Sequence, residues 1–432
     1  MPCMTGRASI APIVALALLA AGASAQEGDL PVIVERIVTL SEHGSTRATL
    51  YDMSNKILTI GGRTHITWLD ALADTMIVTY DHATGAISAP VLIGSGVDNH
   101  AGPAMCADSQ GSLYVVFGPH HGPFQFARSA RPNDASEWEK LPDFGYKCTY
   151  PSLVCDAQDT LHIAYRGGDV PCRAMYQRRP PGGEWTEPRE LVSAAVPDGY
   201  TQFGNALTVA PDDSLHLVFH VYDMHPAAGK AAGHLVSRDG GDTWTLMDGT
   251  PVALPATPQT PGVMVEQGPE LDMRAGGVTC DAQSRPYFPS VHAEGETDLV
   301  LWRWRDGWEG ISLRATVEEA LGFPPRFAQP NVATIAGGRL FIGAGIRTGG
   351  NWVDRSTDTY LLVSDDLGDS FAVQRISEPD PDVPNWGPSL ERPVGRNAID
   401  RLFLLWTHGL AGAGTSDAET VTDVMLAILA RD

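Results

Sequence analysis

At 432 residues, with 45 glycines, 32 prolines and few long apolar helical patterns, the chain favours many short strands joined by tight turns in one all-β domain. A formal charge of −22 argues against nucleic acid or an anionic membrane surface as partner. Basic and acidic side chains nearly balance between residues 100 and 190, so an anionic ligand can be received there, since distant exposed charges are screened beyond about 8–10 Å.

In chain order, Arg7, the apolar run Ile10 to Ala21 and Ala23-Ser24-Ala25 before Gln26 have the three regions of a secretory signal peptide. Residues 1–25 are therefore expected to be removed, leaving 26–432 as a single domain that is secreted or periplasmic. No later stretch approaches the roughly 20 apolar residues of a membrane span. With Cys3 in the signal, five cysteines remain, an odd number that excludes a complete disulfide framework. Cys106, Cys155 and Cys280, each beside a turn aspartate, read as small core residues, and Cys148 with Cys172 is the one pair expected as a candidate bridge.

Internal repeats organise the rest. PAMCADSQGSLYVVF (103–117), PSLVCDAQDTLHIAY (151–165), ALTVAPDDSLHLVF (206–219) and GGVTCDAQSRPYFPSV (276–291) are each an apolar strand, an Asp-rich turn and a second strand. Residues 331–346 and 389–406 follow the plan more loosely and 48–85 more weakly, which makes seven. Trp138, Trp185, Trp244, Trp308 and Phe371 close the outer parts of these repeats. Ser237-Arg-Asp239-Gly-Gly241-Asp-Thr243-Trp244 and its variant Ser364 to Phe371 resemble the Asp-box of sialidase-like propellers, a folding device in which Asp accepts turn hydrogen bonds and Trp packs between strands. The expected fold is a seven-bladed β-propeller with Asp-box-like outer turns, closed by pairing the two chain ends with Val424 to Leu429 as closing strand. Segments 223–233 and 251–274 are longer than hairpins require and are expected to roof one end of the channel.

His100 precedes the first strand of one repeat and His120, followed by His121, comes after the second; Tyr150 and Arg166 hold the matching places in the next repeat. These are rim positions, where blades converge. Paired carboxylates for glycoside hydrolysis do not recur there. β-Elimination from a uronic acid suits the set better: Arg neutralises the carboxylate, Tyr or His removes the C5 proton, and the other protonates the departing C4 oxygen. That chemistry requires no cofactor, and a structural metal ion stays unassigned.

DNHAGPAMCADSQGSLYVVFGPHHGPFQFARS, TYPSLV with LHIAYRGG, and NWGPSLERP with LLWTHG together resemble secreted seven-bladed propellers of the BNR-repeat type, which include ulvan lyases. The resemblance covers most of the mature chain and is sharp over about 98–180 and 384–409. It implies a polysaccharide lyase acting on an ulvan-like uronate polymer, with His100 and Tyr150 as the acid/base pair, Arg166 as carboxylate neutraliser and His120 as a supporting contact. His121, Arg173 and Arg178, with Arg179 beside them, are the candidate contacts to an anionic polysaccharide or oligosaccharide, and the protein is expected to be a monomer.

Two alternatives stay open: an exo-acting rhamnosyl-glucuronate lyase or hydrolase, and a non-catalytic carbohydrate-binding propeller. A sialidase reading lacks the arginine triad and the N-terminal Arg-Ile-Pro. His162 reads as a satisfied strand residue, and His216 and His220 alternate with apolar neighbours. A metal site from His220, Asp223 and His225 is the less favoured reading of that stretch. Trp302 and Trp304 read as packing, and Glu266 and Glu270 as residues of the entrance.

Overall fold

The computed structural model describes residues 31–194, 201–223, 230–268, 273–292, 297–350, 354–410 and 422–430. The expected signal segment, His225 and Glu270 lie outside them. Among the described residues the chain forms six antiparallel sheets, five of them built from strands that follow one another in sequence. The first contains Ile57–Ile60, Arg63–Leu69, Asp74–Asp81 and Val91–Ser95, and the second runs through seven strands from Ala104–Ala107 to Arg189–Val192. Three further meanders follow, spanning 201–268, 273–312 and 326–375. The last sheet joins Asn385–Leu390, Phe403–His408 and Thr422–Leu429 to the first strand of the chain, Val34–Gly44, with Val34 opposite Leu429. One short helix, Arg314–Leu321, was not foreseen; it ends where Gly322 turns left-handed (φ 73°) and returns its N–H to the Glu318 carbonyl. No helix among the described residues is long and apolar enough to cross a membrane.

The seven-stranded sheet owes its width to one strand. Asp134–Cys155 pairs along its first part with Gly122–Arg131 and along its last part with Leu161–Gly167, so it is the outer strand of one meander and the inner strand of the next. Ala104–Ala107 and Leu113–Phe117, the strands expected from the sequence, are buried at every position. Leu58 and Ile77 of the first sheet and Leu153 and Ile163 from the other half of the same sheet share one core with these strands, which therefore read as continuous apolar runs instead of alternating ones.

The aspartate turns explain the repeated motif. Asp108 Oδ1 accepts the N–H groups of Gln110 (3.0 Å) and Ser112 (2.8 Å), and Gly111 supplies the positive φ the turn needs. Asp156 holds Gln158 and Thr160 in the same way, and Asp281 holds Gln283 and Arg285. In the outer turns, Ser237 Oγ accepts from Gly241 N (2.8 Å) and Asp239 Oδ1 from Thr243 N (2.9 Å); Ser364 and Asp366 repeat both bonds with Gly368 and Ser370. Trp244 is buried edge-on against Tyr176.

Two expectations are corrected. Cys148 and Cys172 are both free and buried, each packed as a small apolar group, so the candidate bridge is absent. The weak copy placed over 48–85 begins later, at Ile57; residues 45–54 form consecutive turns, closed by Ala48 N to Ser45 O, Leu50 N to Arg47 O and Ser54 N to Tyr51 O. Those turns carry part of the site.

Candidate active site

Each repeat sends its aspartate turn to one end of the sheet and its strand ends to the other. His120 leaves the end of Leu113–Phe117 through Gly118, whose φ of 101° and close contact with Gln125 exclude a side chain. The Gly118 carbonyl accepts Val97 N–H (3.0 Å), which docks the 97–101 loop beside it. Asp98 is thereby placed between two imidazoles.

Asp98 Oδ2 lies 2.6 Å from His120 Nδ1 and Oδ1 lies 3.1 Å from His100 Nδ1, with the His100 backbone N–H a further donor at 2.7 Å. A carboxylate only accepts, so both imidazoles carry their proton on Nδ1. Burial would raise the Asp98 pKa, but these hydrogen bonds outweigh it and hold the carboxyl below its usual range. The His100 and His120 rings stack at 4.1 Å, and their side chains keep 12% and 19% exposure. Donor atoms of Asp98, His100 and His120 lie within 4.8 Å of one another, a spacing that could hold a metal ion. The shared carboxylate accounts for the same spacing by hydrogen bonding alone.

Tyr150 closes the third side, its ring 6.2 Å from that of His100 and its φ at 59°. His121 (φ 62°) and Tyr51 (φ 72°) are also left-handed, so three adjoining non-glycine residues share a costly backbone conformation that the surrounding bonds must enforce. His121 N–H is held by the Cys148 carbonyl and by Thr149 Oγ1. Ser54 donates to the Pro151 carbonyl (2.7 Å), and buried Lys56 donates to the carbonyls of Tyr51 (2.8 Å) and Ser54 (3.1 Å). Burial lowers the Lys56 pKa to about 7, with Asp52 opposing and Arg392 adding to the shift.

Arg166 is fully buried behind this rim, with its guanidinium 4.6 Å from the Tyr150 ring centre and Nη2 3.2 Å from both His121 Nε2 and Thr149 Oγ1. His121 is exposed at the rim, and the partial loss of water around its ring together with the Arg166 charge lowers its pKa to about 4. Since Arg166 can only donate, neutral His121 accepts at Nε2 and presents Nδ1–H outward.

Three residues here were not singled out from the sequence. Arg47 Nη1 lies 2.7 Å from both Tyr51 OH and His100 Nε2, and the Tyr51 ring lies tilted against that of Tyr150, with centres 4.7 Å apart. Asp98, two positions before His100, is the third. Its spacing in Asp98-Asn-His100 was the available signal.

Other candidates fall elsewhere. Arg173 stands at the site end of its strand, opposite Gly167, and is paired with Glu190 (3.1 Å). Arg178 pairs across from His162 at the far end of the same strand, where it binds Asp242 (2.6 Å) and the Gly240 carbonyl (2.7 Å), so the structure does not bring it to the site. Arg179 lies over Phe126. His162 is buried between Asp156 and Tyr176, and Trp302 donates to Ser290 within the sheet. His216 contacts Ser214 and His234, whereas His220 is buried with Nδ1 3.4 Å from the Ala275 carbonyl. Glu266 accepts from His292 (3.0 Å).

Fold and site together define a repeat-built, all-β, propeller-like protein with a His, Tyr and Arg cluster at the strand ends. The chain belongs to the BNR repeat-containing family, whose model matches residues 63–315. It is 22% identical over 277 residues to an ulvan lyase of the PL25 type from Pseudoalteromonas sp. (strain PLSV), covering 52% of this chain and 55% of that one. Over 215 residues it is 25% identical to an ulvan lyase of Nonlabens ulvanivorans, covering 41% and 44%. The chain thus spans about half the length of the curated relatives it matches. A solved PL25 ulvan lyase bound to -[GlcA(1-4)Rha3S]- shares the fold with a TM-score of 0.73 at 16% identity, over 90% of this chain and 95% of that one.

Proposed function

We propose that this protein is a secreted or periplasmic polysaccharide lyase that cleaves an ulvan-like, uronate-containing polymer by β-elimination. The architecture in this reading is a single seven-bladed propeller acting as a monomer, its outer turns being Asp-boxes. The seven-stranded sheet counts as two blades that share Asp134–Cys155, and Val34–Gly44 completes the last blade. The observation that carries the reading is the convergence of His100, His120 and Tyr150, with ring centres 4.1 Å and 6.2 Å from His100, over a buried Arg166.

Each residue then has a role. Arg166 polarises His121, whose outward Nδ1–H meets the uronate carboxylate and lets the C5 proton acidify. His100, neutral and unprotonated at Nε2, takes that proton; the C5–H electron pair becomes the C4=C5 double bond as the C4–O bond breaks. Tyr150 gives its phenolic proton to the departing oxygen. His120, oriented by Asp98, supports the sugar from the stacked position. Arg173 is a secondary contact. No step calls for a cofactor.

The test is ultraviolet absorbance of the conjugated product while the protein is mixed with ulvan and other uronate polymers. A rise that both Tyr150→Phe and His100→Ala lower by roughly 100-fold or more supports the assignment. New reducing ends without absorbance would mean hydrolysis, and neither signal would leave a carbohydrate-binding propeller.

A further inference from the structure

Both ring nitrogens of His100 have polar partners. Nδ1 faces Asp98, and Nε2 faces Arg47 Nη1 at 2.7 Å. A guanidinium has donors only, so this contact requires the Nε2 lone pair. The same Nη1 reaches Tyr51 OH at 2.7 Å, and its two hydrogens serve both acceptors at once. Arg47 is itself held in place: its backbone N–H is bound by Ser45 Oγ, and Asn99, the neighbour of His100, donates to Thr46, the neighbour of Arg47. The charged and titratable groups around His100 are Asp98 on its own loop, Arg47 and Tyr51 from the 45–54 turns, His120 beyond Leu113–Phe117, and Tyr150.

We propose that Arg47 is a positioning residue: it caps the lone pair of His100 Nε2 and passes to the carboxylate of an anionic sugar when one binds. A carboxylate forms stronger charge-assisted bonds with a guanidinium than an imidazole nitrogen does, and it offers two acceptor oxygens to the planar fork. An incoming uronate therefore draws Arg47 off His100, and the atom that must accept the C5 proton is uncovered only by a substrate carrying the right charge. A neutral sugar leaves the cap in place. Selection for uronates thus resides in a residue outside the acid/base pair. The substrate handover deepens the lyase reading and rests on it; the contact between Arg47 and His100 does not.

The experiment follows the side-chain nitrogens of His100 in the full chain labelled with 15N-histidine, together with the kinetics of Arg47→Met and Arg47→Lys. In the unaltered protein at neutral pH, Nδ1 should be protonated and Nε2 unprotonated but displaced by the Arg47 hydrogen bond. Arg47→Met should move Nε2 to the position of an uncapped lone pair, and Arg47→Lys, which keeps a donor, should restore most of the displacement. In Tyr150→Phe, whose turnover is expected to be slower by roughly 100-fold or more, adding a uronate oligosaccharide should move Nε2 as Arg47→Met does. In turnover, Arg47→Met should raise KM by about tenfold or more with kcat within about threefold, and Arg47→Lys should recover much of the loss. An Nε2 resonance identical in the unaltered protein and folded Arg47→Met overturns the proposal, as does an unchanged KM. If the unaltered protein turns over no uronate polymer, the lyase reading fails, and the Nε2 resonance alone still decides whether Arg47 caps His100.

Discussion

At one end of the seven-stranded sheet, buried His162 gives Nε2–H to Asp156 (2.9 Å) and meets Tyr176 OH through Nδ1 (2.6 Å). At the other end, His120 gives Nδ1–H to Asp98 (2.6 Å) and keeps a fifth of its side chain in contact with solvent. The bond to a carboxylate is the same, yet in the first case both nitrogens are spent on holding the turn, whereas in the second the carboxylate aims Nε2 toward the site. Partner type alone does not separate a structural histidine from a working one. Between these two histidines the difference lies in the second nitrogen, which meets Tyr176 OH in His162 and is turned toward the site in His120.

The sharpest way to break this comparison is to truncate both. His120→Ala is expected to lower turnover by about 100-fold while the urea midpoint barely moves. His162→Ala is expected to cost about 2–4 kcal/mol of stability, because it strands a buried aspartate and a buried phenol, with turnover of the folded protein little changed. Equal losses of activity in the two variants would erase the distinction. Asp98→Asn removes the one group that orients two imidazoles and turns an acceptor into a donor toward one of them. The expected fall in turnover is again about 100-fold, with the fold intact by circular dichroism.

A smaller effect concerns buried groups that take no part in the site. Burial lowers His65 and His216 to about 4 and His220 to about 3, so the unfolded chain binds more protons below its own histidine pKa and stability is lost as pH falls from about 6.5 toward 4. Burial also raises Glu391 to about 7 and Asp52 to about 6, which acts in the opposite sense over an overlapping window, since there the folded state holds the extra proton. The two carboxyls offset the three histidines only in part, so the net effect is a loss of stability on acidification. Glu391→Gln removes one opposing group, so stability should fall more steeply on acidification, by up to roughly 1.4 kcal/mol per pH unit between pH 7 and 4.5, read from urea unfolding at several pH values. The smallest expected change is that of Arg178→Ala, under about twofold in turnover, because its charge lies at the structural end of the sheet.

The convergence of His100, His120, Tyr150 and Arg166 was legible because they occupy matching places in adjacent repeats, and a repeat fixes which strand end faces which side. Arg178 was misplaced by the same logic applied without register: five residues along a strand separate it from Arg173, enough to carry it to the opposite end. Arg47 and Tyr51 could not be found this way. They lie in turns that precede the first regular sheet and belong to no repeat, and their link to His100 crosses about fifty residues of sequence. Burial of Arg166 was likewise hidden, since a rim position in sequence does not tell whether its neighbours fold over it. The repeats were readable because each strand, turn and strand is local, whereas the cap on His100 is a long-range contact.

The register that sets Val34 opposite Leu429 brings together strands nearly 400 residues apart. During synthesis, the first strand of the described chain to emerge is therefore among the last to find its partner. Until residues 422–429 follow, Val34–Gly44 and Phe403–His408 each keep a row of unpaired backbone N–H and C=O groups, the kind of edge on which chains recruit one another. Completion of the last sheet is thus also the step that removes these edges, and a chain halted short of it should be more prone to aggregate than to unfold.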